Sequence, residues 1–227
     1  HTGDSGITAI QKGAEDYVQK DRIDDLLPRA IRYAIERKRL KDDLHRANEQ
    51  LLQLSEHDQL TGLLNRRGLD KRLSLERQRA TREATGLIGM LVDIDLFKAV
   101  NDTLGHAAGD HVLQEVARVL CEETRDLDQV ARIGGDEFVI LVTGQVPNTR
   151  LANMSSRILG RLKNPIMFEG NPCKISTSIG ISSVKNGEET TSDLIMQQAD
   201  RALYVSKENG RSQYSFFADC TDESGSP

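Results

Sequence analysis

The sequence lacks the features of a membrane-spanning protein and of a disulfide-stabilised one. No apolar run is long enough to cross a bilayer, and no signal peptide is recognisable, so we expect no membrane contact. The chain has only three cysteines, Cys121, Cys173 and Cys220, and their wide spacing suits neither a metal site nor a disulfide framework. We therefore predict reduced thiols and a cytoplasmic location.

A basic surface and internal repetition are lacking as well. The net charge of −5 argues against a binder of nucleic acid polymers, although a single nucleotide needs only a local basic cluster. No repeat or low-complexity run occurs, and 227 residues suffice for one good-sized domain or two small ones. Because the first residue is His1 and not Met, we expect the chain to be a fragment of a longer product.

Acidic residues border two short apolar runs, 87–92 and 138–142, which are typical of buried strands. These residues are Asp93, Asp95, Asp136 and Glu137. If the two strands are neighbours, their carboxylates converge at one sheet edge, where Mg²⁺ could bind with substrate phosphates. The Gly134-Gly135 pair lets backbone approach a ligand closely. The pattern predicts a nucleotide-phosphate site, the alternative being a solvated acidic turn.

Five segments occur in a characteristic order: DQLTGLLNRRG (58–68), DIDLFKAVNDTLGHAAGD (93–110), RIGGDEF (132–138), STSIGIS (176–182) and ADRALYVSKENGR (199–211). Together they resemble the GGDEF family of diguanylate cyclases, which condense two GTP into cyclic di-GMP. The resemblance covers about residues 55–217. Five motifs in the family's order are far more specific than any single one.

The order of predicted elements favours an α+β domain. The patterns predict strands at 87–93, 129–133 and 137–143, helices at 109–124, 149–162 and 191–208, a hairpin-like pair around 166–169 and 173–184, and a last strand at 212–217. This order is the ferredoxin-like arrangement. We therefore predict a ferredoxin-like, nucleotidyl-cyclase-type GGDEF domain at 55–217 with a central antiparallel sheet. A long signalling helix precedes it, and a disordered tail at 218–227 follows.

Residues 1–25 contain the string ITAIQKGAEDYVQK, which is similar to the C-terminal end of a response-regulator receiver domain. The similarity implies that Lys20 contacts a phosphoryl group, that Thr2 is the switch threonine, and that an upstream histidine kinase is a partner. The phospho-accepting aspartate would lie upstream of His1. The alternative is a helical lead-in with a chance match.

Residues 26–54 show a heptad pattern, with positions alternately four and three apart. The seam positions are Leu26, Ala30, Tyr33, Arg37, Leu40, Leu44, Ala47, Leu51 and Leu54. The pattern favours a coiled coil that forms a homodimer, although Arg37 interrupts its apolar character. The alternative is a single amphipathic helix packed on its own domain. Pro28 is predicted to lie in the first helical turn, where proline is tolerated.

The resemblance assigns roles to the residues around the acidic motifs. Asp93, the backbone carbonyl of Ile94 and Asp136 are the implied ligands of Mg²⁺ (or Mn²⁺). Asp136 is also the implied base for the ribose 3′-hydroxyl, and Glu137 is expected to assist with the metal or to orient the site. Lys98, expected on a turn after the first strand, is assigned to the charge on the leaving pyrophosphate.

Five further residues are implied to hold GTP. Asn101 and Asp110 match the family's guanine readers, and their amide and carboxylate suit the acceptor and donor groups of guanine. His106 lies between them and is expected to contact substrate. Lys207 and Arg211 match the pair that holds the terminal phosphates, and their i, i+4 spacing predicts one face at a helix end.

Two positions have other predicted roles. We expect Asp95 to point to the opposite strand face from Asp93 and to be structural. Ser212 departs from the family, which usually has asparagine there, and we regard this difference as minor.

The resemblance implies that one domain holds one GTP and therefore provides half of a reaction. Two protomers must face each other so that each 3′-hydroxyl attacks the partner's α-phosphate, and a coiled coil would raise their effective concentration. The family's product-inhibition site is an RxxD motif before GGDEF. Here Arg125 and Asp128 form RxxD, with Asp128 four residues before Arg132. A solvated turn is the alternative.

Three other functions are compatible with parts of the pattern. A catalytically inactive domain that senses GTP or cyclic di-GMP would bind nucleotide, but such domains typically lose the GGDEF acids, which are intact here. An adaptor that acts only through dimerisation would need no Asn101, Asp110 or Asp136. A class III adenylyl cyclase shares the fold but should differ at the base-reading positions.

Overall fold

The computed structural model of the chain describes residues 23–54, 56–83, 85–184 and 191–221. The chain divides into two compact units, His1–Ser55 and Glu56–Pro227. Within the described ranges, none of the helices combines the length and the apolar character needed to cross a membrane. The predicted receiver-like segment, including Lys20 and Thr2, lies largely outside the described residues.

The described part of the first unit is a helix of 32 residues, α1 (Ile23–Leu54). It begins three residues before the predicted start, so the prediction that Pro28 lies in the first turn was wrong, and Pro28 is inside the helix. On the predicted seam, Tyr33, Leu40 and Leu44 are 73%, 64% and 72% exposed in the single chain. Large apolar side chains exposed in this way are available to a partner helix. Pairing of two such helices stays a prediction.

The second unit alternates helices and strands. Its helices are α2 (Arg66–Glu83), α3 (Phe97–Leu104), α4 (His106–Glu123), α5 (Asn148–Leu162), α6 (Ser192–Glu208) and α7 (Phe217–Thr221). Its strands are β1 (Leu87–Asp95), β2 (Gln129–Gly134), β3 (Glu137–Thr143), β4 (Ile166–Phe168), β5 (Asn171–Cys173), β6 (Ser176–Val184) and β7 (Tyr214–Phe216).

Five strands form one sheet in the order β2-β3-β1-β6-β7. The four strands from β2 to β6 pair antiparallel, and the order of β1, β2, β3 and β6 gives the predicted ferredoxin-like arrangement. The edge strand β7 differs, because it pairs with β6 in parallel. All nine residues of β1 are buried, as expected for the central strand of a sheet covered on both faces.

Helices cover both faces of the sheet. On one face, α4 and α5 pack on a core that includes Val92, Val112, Phe138 and Ile158. On the other face, α2 and α6 pack on two smaller clusters. The first includes Leu69, Leu91, Val139 and Leu203, and the second consists of Leu73, Leu87, Leu141 and Ile195. The central sheet is therefore held between two helical layers, with its strand ends available for a site.

Three details correct the predicted elements. Helix α3 was not predicted, and α4 starts earlier than residue 109, because Gly105 with φ 84° separates two helices in a stretch assigned to a turn. The hairpin after α5 is β4–β5, whereas β6 belongs to the main sheet. The predicted tail begins with the helix α7, which extends to Thr221, and residues 222–227 lie outside the described ranges.

The segment before α2 completes the β2 edge of the sheet. The Leu64 amide donates to the carbonyl of Val130 at 3.3 Å, and the Arg132 amide donates to the Leu64 carbonyl at 2.8 Å. Leu64 thereby forms an isolated parallel bridge to Ala131. Asn65 then caps α2 by accepting from the Gly68 amide at 2.9 Å. The DQLTGLLNRRG motif is therefore bound directly to the strand that leads into the GGDEF turn.

Candidate active site

The acidic residues of the motifs meet at one end of the central strands. Asp93 pairs in register with Glu137 across β1 and β3. Gly135 and Asp136 form the two-residue turn between β2 and β3, with φ 43° at Gly135, a conformation that favours glycine. The Ile94 amide donates to the Asp136 carbonyl at 3.2 Å. The structure therefore places Asp93, Ile94 and Asp136 next to one another.

Asp93 is a buried carboxylate that is neutralised by a lysine. Its burial raises its pKa, and the nearby charges of Asp136 and Asp95 act in the same direction, while Lys207 opposes them. The Lys207 Nζ lies 2.8 Å from the Asp93 Oδ1. In this structure the Lys207 ammonium group pairs with the carboxylate that the family resemblance assigns to metal binding.

Asp95 corrects one prediction. Residues i and i+2 of a strand share a face, so Asp95 lies on the same face as Asp93 and not on the opposite one. It is buried, and it accepts hydrogen bonds from the Ser176 and Ser178 hydroxyls at 2.7 and 2.8 Å. The expectation that Asp95 would be held by the fold agrees with these contacts.

The corner between α3 and α4 brings the implied guanine readers together. A Cβ at Gly109 would lie 2.0 Å from the Asn101 Oδ1, so the glycine leaves room for the Asn101 side chain. Asp110 follows Gly109 directly and is exposed, as is His106 at the start of α4. The Asn101 amide therefore lies against Gly109, and the next residue along α4, Asp110, presents its carboxylate at an accessible surface.

Lys98 lies in the first turn of α3 and is exposed, which corrects its predicted place on a turn. Leu96, immediately before α3, has a left-handed backbone with φ 59° and is 73% exposed. A non-glycine residue in this conformation is uncommon and is often found at functional sites.

Lys207 and Arg211 approach two different acids of β1, Asp93 and Asp95, from different structural elements. Lys207 is in the last turn of α6, but the helix ends at Glu208, so Arg211 lies in the following loop and the predicted shared helix face is wrong. The Arg211 Nε is 3.9 Å from the Asp95 Oδ1. Both cations thus lie beside the acidic strand end, although the helical spacing is not what places them there.

The donor set at this edge fits a hard divalent cation. It consists of the Asp93 and Asp136 carboxylates and the Ile94 carbonyl, and Mg²⁺ typically uses one or two carboxylates together with water and substrate phosphates. Among the described residues, no group of three or more His, Cys, Asp or Glu side chains forms a metal cluster of its own.

Arg132 connects the GGDEF turn to the DQLTGLLNRRG motif, a link that the sequence alone did not predict. Its Nε and Nη2 donate to the Gly135 carbonyl at 3.0 and 2.8 Å, and its Nη1 lies 3.1 Å from the Asp58 Oδ1. Asp58 also accepts from the amide and hydroxyl of Thr61 at 2.9 and 2.6 Å. Asp58 and Arg132 both lie within the motifs quoted above, but no local sequence pattern predicts that they pair.

The RxxD residues form a structured turn. The Arg125 guanidinium binds Asp128 through two hydrogen bonds of 3.1 Å, and the Arg125 amide donates to the same carboxylate at 3.1 Å. Asp128 is buried, so the turn is not simply solvated. A cavity of about 180 Å³ beside it is also lined by Arg150 and Arg157, two arginines that the sequence did not single out.

Comparisons with known proteins agree with this geometry. The family profile "Diguanylate cyclase, GGDEF domain" matches residues 55–213. The chain is 34% identical to the response regulator PleD of Caulobacter vibrioides over 214 residues, which is 90% of this chain and 45% of PleD. It is 40% identical over 178 residues to the bifunctional diguanylate cyclase/cyclic di-GMP phosphodiesterase MucR of Pseudomonas aeruginosa, covering 78% of this chain and 26% of MucR. The chain thus spans less than half of each of these two relatives.

Solved structures show the same fold. The GGDEF domain of DgcB from Caulobacter crescentus, in complex with c-di-GMP, has a TM-score of 0.68 at 30% identity, covering 72% of this chain and 96% of that one. The DgcB structure with coiled coil and GGDEF domain has a TM-score of 0.66 at 28% identity, covering 84% of this chain and 98% of that one. By its sequence motifs, its sheet and its profile match, the chain belongs to the GGDEF-domain family of diguanylate cyclases.

Proposed function

We propose that this protein condenses two GTP into cyclic di-GMP and two pyrophosphates, with one GTP on each protomer of a homodimer. The observation that carries the proposal is the cluster of Asp93, Asp136 and Lys207 at one strand end. The two carboxylates there can bind a metal ion, and the lysine can bind the triphosphate that the metal accompanies. Relatives whose names include diguanylate cyclase activity support the same reaction.

The acids of the site activate the nucleophile. Asp136 accepts the proton of the ribose 3′-hydroxyl, and the 3′-oxygen then attacks the α-phosphorus of the GTP on the partner protomer. The bond from that phosphorus to the bridging oxygen breaks, and pyrophosphate leaves. A bound Mg²⁺ (or Mn²⁺), held by Asp93, the Ile94 carbonyl and Asp136, would supply charge neutralisation on the phosphate oxygens. Glu137 orients this edge through its pairing with Asp93.

Basic residues hold the phosphates. Lys207 and Arg211 bind the terminal phosphates, and Lys98 stabilises the charge that develops on pyrophosphate. When substrate enters, Lys207 exchanges its contact with Asp93 for a phosphate, which leaves the Asp93 oxygen free for metal. This exchange couples substrate binding to metal binding in the same site.

Guanine is selected at the corner between α3 and α4. The Asp110 carboxylate accepts from the N1–H and N2–H₂ of guanine, and the Asn101 amide pairs with its acceptor edge. His106 contacts the bound nucleotide from the start of α4. Adenine would leave these partners unsatisfied, and such a mismatch can discriminate strongly between substrates.

Dimerisation brings the two half-sites together. The seam on α1 presents Tyr33, Leu40 and Leu44 to a second copy, and the coiled coil of DgcB supports this use of a helix before a GGDEF domain. Phosphorylation of an upstream receiver domain by a histidine kinase would then change how the halves meet. The protein acts in the cytoplasm, where GTP and a kinase are present.

Cyclic di-GMP inhibits the enzyme by binding at Arg125 and Asp128. The adjacent cavity and its two further arginines, Arg150 and Arg157, offer charge for the product's phosphates. Because Asp128 already accepts from Arg125, product binding has to reorganise this pair or use the remaining guanidinium edge.

The test is to incubate the purified protein with GTP or with ATP in Mg²⁺ and to identify the products by chromatography and mass spectrometry. We expect cyclic di-GMP from GTP and no corresponding product from ATP. The matched control is Asp136→Asn, which should fold normally, because its turn contributes no core, and lose turnover. Cyclic di-GMP formed by this variant at the parental rate would refute the role of Asp136. No cyclic di-GMP from the parent, despite GTP binding, would favour a sensing domain.

A further inference from the structure

Asp95 is a buried carboxylate to which the proposed reaction gives no task. Only 1% of its side chain is exposed, yet the acid lies two residues from Asp93 on the same strand face. Serine hydroxyls satisfy both of its oxygens: Ser176 donates to Oδ2 at 2.7 Å, and Ser178 donates to Oδ1 at 2.8 Å. Burying a charge this deeply costs free energy unless hydrogen-bond donors are present, and Ser176 and Ser178 are such donors here.

A third donor to Asp95 comes from the loop that carries Arg211. The Ser212 amide donates to the Asp95 Oδ2 at 3.3 Å, and the Arg211 Nε lies 3.9 Å from Oδ1. This loop, residues 209–213, connects α6 to β7. Asp95 therefore links β1 and the serines of β6 to the middle of this loop, at Arg211 and Ser212.

The loop has an unfavourable backbone conformation that needs such support. Gly210, Arg211 and Ser212 all have positive φ, at 107°, 64° and 52°. Two of these residues are not glycine, and the left-handed region is unfavourable for residues that carry a Cβ. Other anchors hold both ends of the loop: Arg211 N and Gln213 Nε2 donate to the Ser206 carbonyl of α6 at 3.1 and 2.9 Å, and the Ile179 amide of β6 donates to the Gln213 carbonyl at 2.9 Å.

We propose that Asp95, fixed by Ser176 and Ser178, is a positioning residue that holds the loop 209–213 in the conformation that aims Arg211 at the substrate's triphosphate. The proposal rests on the proposed function, because it takes Arg211 as a phosphate ligand. Only an ionised carboxylate accepts from two hydroxyls and an amide at once without offering a donor. An asparagine has one acceptor oxygen and no charge, so its N–H₂ group would face either Ser178 and Arg211 or Ser176 and the Ser212 amide, and the loop would lose its contact at Arg211 or at Ser212.

The test compares binding of 3′-deoxy-GTP and 3′-deoxy-GMP, which lack the nucleophile, to the full chain by calorimetry in Mg²⁺. We expect Asp95→Asn to weaken 3′-deoxy-GTP binding about tenfold, the equivalent of one charge-assisted hydrogen bond, and to leave 3′-deoxy-GMP within about twofold. In an Arg211→Ala background, Asp95→Asn should have little further effect, because Asp95 acts through Arg211.

Ser178→Ala provides a milder variant should Asp95→Asn fold poorly, and it should lower triphosphate affinity in the same selective way. Ser182→Ala is the matched control, since it removes a buried serine hydrogen bond, 2.7 Å to Gln198, from the same strand. It should leave the ratio of triphosphate to monophosphate affinity unchanged.

Equal weakening of both ligands, or additive effects of Asp95→Asn and Arg211→Ala, would overturn the positioning role. A failure of the proposed substrate would look different. In that case the parent would bind 3′-deoxy-ATP as tightly as 3′-deoxy-GTP. The effect of Asp95→Asn on triphosphate affinity could still be measured with either nucleotide.

Discussion

Asp58 and Arg132 form an ion pair of 3.1 Å although they are 74 residues apart in the chain. The same guanidinium binds the Gly135 carbonyl in the turn that presents Asp136. One arginine thus links the GGDEF turn to the first motif of the domain. The Arg132 side chain adds to the backbone bridge at Leu64, so the motif and the turn are joined in two ways.

Asp58→Asn should lower both stability and turnover. Burial raises the pKa of Asp58, but hydrogen bonds from Thr61 and Arg132 outweigh it, so the net shift is downward. A lowered pKa means that the ionised form stabilises the fold above the ordinary value of 3.8 and that this contribution is lost as the pH falls through the folded-state value. We expect a loss of about 1–2 kcal/mol at neutral pH that disappears in strong acid.

Denaturant unfolding at several pH values measures this difference, and initial rates with GTP report the effect on the turn. The control is Glu56→Gln, which removes the neighbouring exposed pair with Lys71 and should leave turnover nearly unchanged. A loss of stability from Asp58→Asn that persists undiminished in strong acid would show that charge is not the cause.

Asn101→Ala with Asp110→Ala should weaken GTP binding and reduce its preference over ATP. Each lost polar contact is worth about 1–3 kcal/mol when its partner on the base is left unpaired, so affinity should fall at least about tenfold. Titration calorimetry of both nucleotides measures the change. Gln114→Ala, which alters an exposed amide one turn further along α4, serves as control. Unchanged GTP affinity in the double variant would remove these residues from base recognition.

Removal of residues 1–54 should lower activity steeply at low protein concentration. Without the α1 seam, the catalytic halves meet only by random encounter, and the rate should rise faster than linearly with concentration. In the full chain, Leu40→Glu with Leu44→Glu should do the same, whereas the off-seam pair Ile31→Glu and Ile35→Glu, also on exposed positions of α1, should not. A specific activity that changes neither on truncation nor on dilution would exclude α1 as the dimerising element.

Arg125→Ala should leave initial velocity nearly intact and let cyclic di-GMP accumulate beyond the level at which the parent stalls. The variant removes the guanidinium that product would use, and it does not touch Asp93 or Asp136. Full progress curves with added cyclic di-GMP measure the stall point, with Arg79→Ala as a control at an exposed arginine on α2. If the variant and the parent stall at the same product concentration, the RxxD turn has only a structural role.

The sequence predicted the strands well, because short apolar runs between polar turns are a local signal. β3 begins and ends at the predicted residues, 137 and 143. The fold class followed from the order of elements, and the structural comparisons confirm it. Helix α3 was missed because its eight residues are too short for a clear apolar period before Gly105.

The placement of the site residues depended on information that is not local. Asp95 is an exception, because a local rule places it: residues i and i+2 of a strand share a face, β1 continues through Asp95, and the prediction of the opposite face misapplied this rule. Arg211 was given a helical partner that the end of α6 at Glu208 removes. The pairs Arg132–Asp58 and Lys207–Asp93 join distant segments, so only the folded chain reveals them.

The bridge from Leu64 to β2 also protects the protein from unwanted association. An open strand edge offers unpaired amides and carbonyls to other chains and promotes aggregation. Leu64 occupies the Val130 carbonyl and the Arg132 amide on the outer side of β2, next to the catalytic turn. A fragment that begins after residue 64 would therefore expose unpaired backbone groups on β2. We expect such a fragment to aggregate more readily than one that includes Leu64.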